Sequence, residues 1–155
     1  MRKKQTHKRP HRTKRNNEWL LVIKSLDERM ESRASSDAPR TPKTLLDNNI
    51  AEALNTAYLA TLRYYTALLD NGRPDQRAQR FLSKLWQKAG TQMRRYEPAL
   101  ASRLKASNSF WASDVTWETD TIRQAWAHLN SIRTSTNILL EQAKAFQRDR
   151  AFSLS

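Results

Sequence analysis

Few residues in this chain have side chains suited to catalysis or metal binding. There are three histidines, His7, His11 and His128, and no cysteine. Disulfides, thiolate nucleophiles and Cys-based zinc sites are therefore excluded. His7 and His11 stand in a basic segment with no companion ligands, so no metal site and no cofactor is expected. Glycine occurs only at Gly72 and Gly90, too few for the Gly-rich loop that cradles a phosphate. No spacing marks a carboxylate pair or a Ser–Lys arrangement. What the chain holds in excess is positive charge: 28 Lys and Arg against 15 Asp and Glu, a formal +13.

One pair of polar residues has a suggestive spacing. Arg123 and His128 stand five positions apart in the run RQAWAH. The run resembles the Arg-x4–6-His motif of HEPN ribonucleases. The resemblance covers these positions alone. It implies that His128 and Arg123 would activate and stabilise cleavage of a ribose phosphate at a dimer cleft, with Gln124 as the polar neighbour of the arginine. On a helix, five positions separate two side chains by about 140°. His128 then borders the core and Arg123 points outward, which also fits a boundary histidine and a solvated arginine.

The positive charge is unevenly placed. Residues 1–15 hold Arg2, Lys3, Lys4, Lys8, Arg9, Arg12, Lys14 and Arg15, and no acid. Residues 73–105 hold nine Lys and Arg against Asp75 and Glu97. The remainder is slightly acidic. A surface without a special role mixes its signs more evenly. On a helix turning about 100° per residue, Arg73, Arg77, Arg80, Lys84, Lys88 and Arg95 share a sector about 80° wide, beside a core stripe near 120° from Arg77. From Arg73 to Arg95 this ladder would rise about 33 Å, close to one turn of duplex DNA. Like charges three or four apart cost a few tenths of a kcal/mol per pair. Either an external polyanion or an acidic face on a neighbouring helix must compensate, and the external polyanion is the preferred reading.

Helices must position these residues. Two glycines and five prolines are too few for a many-stranded sheet, and apolar residues recur at spacings of three and four. Residues 1–16 have no apolar side chain after Met1 and contain Pro10, so disorder is expected there. A first helix is predicted over 17–33, capped by Asn17, burying Trp19, Val22, Ile23, Leu26 and Met30. After a polar loop over 34–41, a second spans 42–70. It starts at Pro42 with Thr41 as cap, buries a stripe from Leu46 to Leu68, and stops at Asn71-Gly72.

A third helix, over 74–106, should bury Ala78, Phe81, Leu82, Leu85, Trp86, Ala89, Met93, Tyr96 and Leu100, and kink or break at Pro98. A loop over 107–113 carries Phe110 and Trp111. A fourth helix, over 114–148 and capped by Ser113 or Asp114, buries a stripe from Ile122 to Phe146. Short connections on either side of the third helix imply antiparallel neighbours. The expected architecture is all-α, an up-down four-helix bundle over 17–150 behind a disordered basic tail over 1–16.

No apolar run reaches the roughly 20 residues a membrane helix needs, and the run over 19–23 is too short for a signal-peptide core. A cytoplasmic location is expected, nuclear or organellar in a eukaryote. The tail can neutralise several phosphates and release their counterions, and the ladder offers a second strip. The expectation is a non-enzymatic nucleic-acid-binding or nucleoprotein-assembly subunit, making backbone contacts to DNA or RNA with little sequence preference. Other subunits would be its companions, and no membrane. Trp111 is a ring that could stack on a base, although capping the end of the core is its other use. Tyr58, Tyr64 and Tyr65 give the second helix more apolar surface than one stripe needs, as a homo-oligomer would use. Two rivals stand beside this reading: a HEPN-like ribonuclease or toxin using Arg123 and His128, and an adaptor with an acidic protein partner.

Overall fold

Apolar residues spaced by three and four dictate helix, and helix is what forms. The computed structural model describes residues 8–36, 45–73, 75–105 and 118–154. Among them the chain is all-α: α1 (Lys8–Ala34), α2 (Asn48–Asn71), α3 (Gln76–Gln92) with a 3-10 turn after it (Met93–Arg95), α4 (Pro98–Lys105) and α5 (Thr119–Leu154).

The boundaries depart from expectation in four places. α1 starts at Lys8 rather than at Asn17, so residues 8–16 are helical and not disordered. Pro10 is tolerated because its missing N–H, in the first turn, would have no intrahelical partner. A helix already nucleated around Trp19 then extends cheaply. Residues 1–7 of the expected tail lie outside the described residues, as does the Thr41–Pro42 start. α2 begins instead at Asn48, where the Asp47 carboxylate accepts from the Asn49 N–H at 2.6 Å. Its other end is as expected: Gly72 adopts φ 69° and its N–H donates to the Leu68 carbonyl at 2.7 Å. α5 runs from Thr119 to Leu154, past the Arg148 end expected of it, and the caps foreseen at Ser113 or Asp114 lie outside the described residues. The third predicted helix changes most. Pro98 breaks it, and α4 then folds back along α3.

Contacts fix the helix directions. Trp19 meets Trp86 and Arg33 meets Tyr96, so α1 and α3 run the same way. Thr61 meets Trp86 and Tyr64 meets Gln79, so α2 runs against α3. Glu97 reaches Arg29 and Arg33 while Arg103 reaches Ser25, so α4 runs against α1. Asp27 meets His128 and Ala34 meets Gln142, so α5 runs with α1. Direction therefore alternates through five helices rather than four. Neighbours close a ring in the order α1, α5, α2, α3, α4, and the parallel pair α1 and α5 makes the most extensive contact.

The centre of that ring is aromatic. Trp19 and Trp86 are fully buried and meet edge to face, centroids 5.3 Å apart at 70°. A buried indole N–H left unpaired costs about 1–3 kcal/mol, and both are paired. Trp19 Nε1 donates to the Tyr65 hydroxyl at 2.9 Å. Trp86 Nε1 donates to Thr61 Oγ1 at 2.9 Å, and Thr61 in turn donates to the Ala57 carbonyl. α2 has neighbours on both flanks, which consumes its tyrosines: Tyr58 donates to Asn130 of α5 at 2.6 Å, and Tyr64 accepts from Gln79 of α3. These rings face inward, so the surface they were expected to offer a second copy is spent within the chain. Among the described residues no helix is long and apolar enough to cross a membrane.

Burial raises the Tyr65 phenol far above its ordinary 10.0, the bond from Trp19 opposing this only in part, and burial moves Tyr64 the same way. The fold thus prefers the neutral phenols. Their contribution is complete below about pH 10 and is lost as pH rises through the elevated folded values. Tyrosinate absorbance followed during an alkaline titration should show fewer than the full set of tyrosines ionising before the fold is lost. Full ionisation in the native state would contradict the buried placement.

Candidate nucleic-acid interface

α3 begins at a well-built corner. After Gly72 turns the chain, the Arg73 N–H donates to Asn71 Oδ1 at 2.8 Å. The Asp75 carboxylate then caps α3, accepting from the N–H groups of Arg77 at 2.9 Å and Ala78 at 3.2 Å. The Tyr64 hydroxyl accepts from the Asp75 N–H and from Gln79 Nε2, which pins this corner to α2.

The buried residues of α3 are Gln79, Leu82, Ser83, Trp86, Ala89 and Gly90. They centre about 180° from Arg77, not the 120° expected. The cause is α4. A Cβ added at Gly90 would stand 2.9 Å from both the Ala101 carbonyl and Lys105 Cγ, so only glycine lets α4 lie this close. That contact draws the flank carrying Ser83 and Gly90 into the interior and turns the opposite flank out. Phe81, expected in the core, is instead 56% exposed.

Arg73, Arg77, Arg80, Lys84, Lys88 and Arg95 are all exposed. Among the described residues none of the six forms an ion pair. α3 itself contains no acid. The ladder is nevertheless shorter than expected. Arg73 precedes the helix. Arg95 follows it, in the 3-10 turn, whose tighter winding rotates it about 60° off the row. Arg95 instead borders a cavity of about 1220 Å³ with Arg94, Lys144 and Asp47 at the other end of the molecule. The continuous row is Arg77, Arg80, Lys84 and Lys88, rising about 16 Å on the face opposite the core.

Of the acids on the first two helices, Asp27 meets His128 and Asp47 caps α2, while Glu28, Glu31, Glu52 and Asp70 are exposed and pair with none of the six cations. Glu97 is buried, and its Oε1 accepts from Nε of both Arg29, at 2.8 Å, and Arg33. Arg33 also donates to the Tyr96 carbonyl and lies 4.2 Å over the Tyr96 ring. This cluster ties the Glu97–Pro98 reversal to α1 and leaves the α3 row alone.

Of the tail cations, Arg2, Lys3 and Lys4 lie outside the described residues. Lys8, Arg9, Arg12, Lys14 and Arg15 fall on the first turns of α1. Because Trp19 meets Trp86 and the two helices are parallel, these turns stand at the level where α3 begins. Two basic segments remote in sequence therefore come to one end of the molecule. Trp111, the ring expected to stack, lies outside the described residues with Phe110. Phe81 is an exposed ring among the cations: it stands about 40° from Arg77, between cations at four positions before and three after, a spacing present in the sequence but obscured by assigning Phe81 to the core.

Arg123 and His128 are not brought together. Arg123 is exposed, and His128 is half-buried with Nδ1 2.7 Å from Asp27 Oδ2. The second oxygen, Asp27 Oδ1, is buried with no hydrogen-bond partner among the described residues. The pair joins α1 to α5, and a carboxylate on Nδ1 fixes the ring and leaves Nε2 as the nitrogen for proton transfer. No protein-family description, no characterised protein and no solved structure matches this chain.

Removing the imidazole should strand the Asp27 carboxylate. His128→Ala is expected to lower stability to urea by roughly 1–3 kcal/mol. The double variant Asp27→Leu with His128→Leu should regain most of that, since deleting both partners together is close to neutral. A single variant as stable as the parent would mean that the pair is no tether.

Proposed function

We propose that this protein is a non-enzymatic nucleic-acid-binding or nucleoprotein-assembly subunit. The observation carrying this reading is the acid-free, exposed row Arg77, Arg80, Lys84 and Lys88 on the side of α3 away from the core. Four like charges at helical spacing repel one another by a few tenths of a kcal/mol per neighbouring pair, and a phosphate backbone relieves that repulsion while releasing its counterions. The long helices α1, α2, α3 and α5 serve as a four-helix bundle that keeps the row rigid. The basic segment over 1–16 adds further phosphate contacts. Contacts of this kind position a strand without reading its sequence, so the preference among sequences is weak.

Binding to DNA and RNA oligonucleotides, titrated with salt, tests this. Affinity should fall linearly on a log–log plot, and the double variant Arg77→Glu with Lys84→Glu should weaken binding and reduce the slope on duplex DNA by about 2. Deleting residues 1–16 should reduce it further. An unchanged slope in the double variant would remove α3 from the interface. Tight binding to an acidic protein alone, with none to nucleic acid, would favour an adaptor instead.

A second reading rests on one contact. Asp27 orients His128 as a carboxylate orients a general base, and the Arg123–His128 spacing is that of HEPN ribonucleases. Under it the protein cleaves RNA, and His128→Ala abolishes cleavage while leaving binding intact. A wild-type protein that cleaves no RNA ends this reading.

A further inference from the structure

The outward face of α3 is not purely cationic. Phe81 stands within it, 56% exposed, the most exposed large apolar side chain among the described residues. Its helical angle, about 40° from Arg77, places it one turn from both Arg77 and Lys84, with Lys88 two turns along the same side. Its ring is open: among the described residues the cation–ring contacts are Arg33 on Tyr96 and Arg133 on Tyr58, and none involves Phe81. An exposed aromatic ring costs solvation energy unless something covers it, and here its neighbours are cations.

We propose that this face binds single-stranded nucleic acid, with a base stacked on Phe81 and the flanking phosphates held by Arg77, Lys84 and Lys88. The proposal rests on the nucleic-acid reading above and narrows it. Every base has an apolar face, but in a duplex those faces are already stacked, so only an unpaired strand can offer one to a side chain. The charges suit the same ligand. Arg77 to Lys88 spans about 16 Å, the length of about five nucleotides of a stacked strand at 3.4 Å each. An apolar protein partner would meet a cation on each side of the ring, and an acidic one would supply no face to stack.

The test compares Phe81→Ala, Phe81→Trp and the double variant Arg77→Glu with Lys84→Glu, each as the full chain. Affinities are measured for a mixed-sequence single strand and for a duplex of the same length. Phe81 is exposed, so its substitution should leave the circular-dichroism spectrum and thermal midpoint unchanged. Phe81→Ala is expected to weaken single-strand binding by about five- to one-hundred-fold, to leave duplex binding within about twofold, and to be rescued by Phe81→Trp. The charge variant should weaken both. If the charge variant weakens binding but Phe81→Ala does not, or lowers both ligands alike, stacking is overturned while the backbone interface stands. If neither variant changes any affinity, the interface itself is overturned as well.

Discussion

The seating of α4 on α3 at Gly90 governs what this molecule presents to solvent. A helix has only one side to give to its neighbours, and α3 has two of them, α2 and α4. With glycine at position 90 the α4 backbone comes within a distance no Cβ would permit. The buried arc of α3 is then centred between its two neighbours, and Ser83 and Gln79 go inside at the expense of Phe81. The cationic row is left diametrically opposite the core, as far from the carboxylates of the interior as its helix allows. Burying Gln79 is possible because its amide donates a hydrogen bond to the Tyr64 hydroxyl.

The same economy of partners holds at the centre and at the bend. Both buried tryptophans donate to hydroxyls on α2, so one helix supplies the acceptors for two others. Glu97 sits beside Pro98, which removes a backbone donor at the start of α4, and its carboxylate collects two guanidinium groups from α1. The reversal is thereby fixed to the last turns of the first helix. A buried carboxylate needs such partners, because an uncompensated charge there would be severely destabilising. Asp27 is the less complete case, with one oxygen held by His128 and the other unsatisfied among the described residues.

Much of the core was legible in the sequence because helical periodicity is a local signal. Every residue of the stripe from Trp19 to Met30 is buried, as is every one from Leu46 to Leu68. Gly72 ends α2 by the left-handed geometry its type favours, and Pro98 interrupts the third stripe. The consequence of that interruption was not legible. Whether a helix kinks or reverses depends on where the following turns find apolar contact, here Leu100, Ala101 and Leu104 against α1 and α3, and composition does not encode that. The rotation of α3 followed from the reversal, and with it the exposure of Phe81 and the shortening of the ladder. The partner of His128 lies a hundred positions away on α1, beyond the reach of any spacing rule. The exposure of the row was anticipated from charge alone, and the absence of acids on α3 is the part of that argument the sequence already contained.

Five alternating helices, unlike four, cannot cancel their peptide dipoles in pairs. α1, α3 and α5 start toward the end where the cationic row begins and α2 finishes there, whereas α4 ends beside Gly90, near the last turn of α3. Each start carries roughly half a positive elementary charge and each finish half a negative one, so the starts outweigh the finish and a net positive potential is left at that end. The backbone itself therefore leans the electrostatic field in the direction the side chains have already set, and an anion drifting toward the molecule would feel a polarity that no substitution of a lysine could remove.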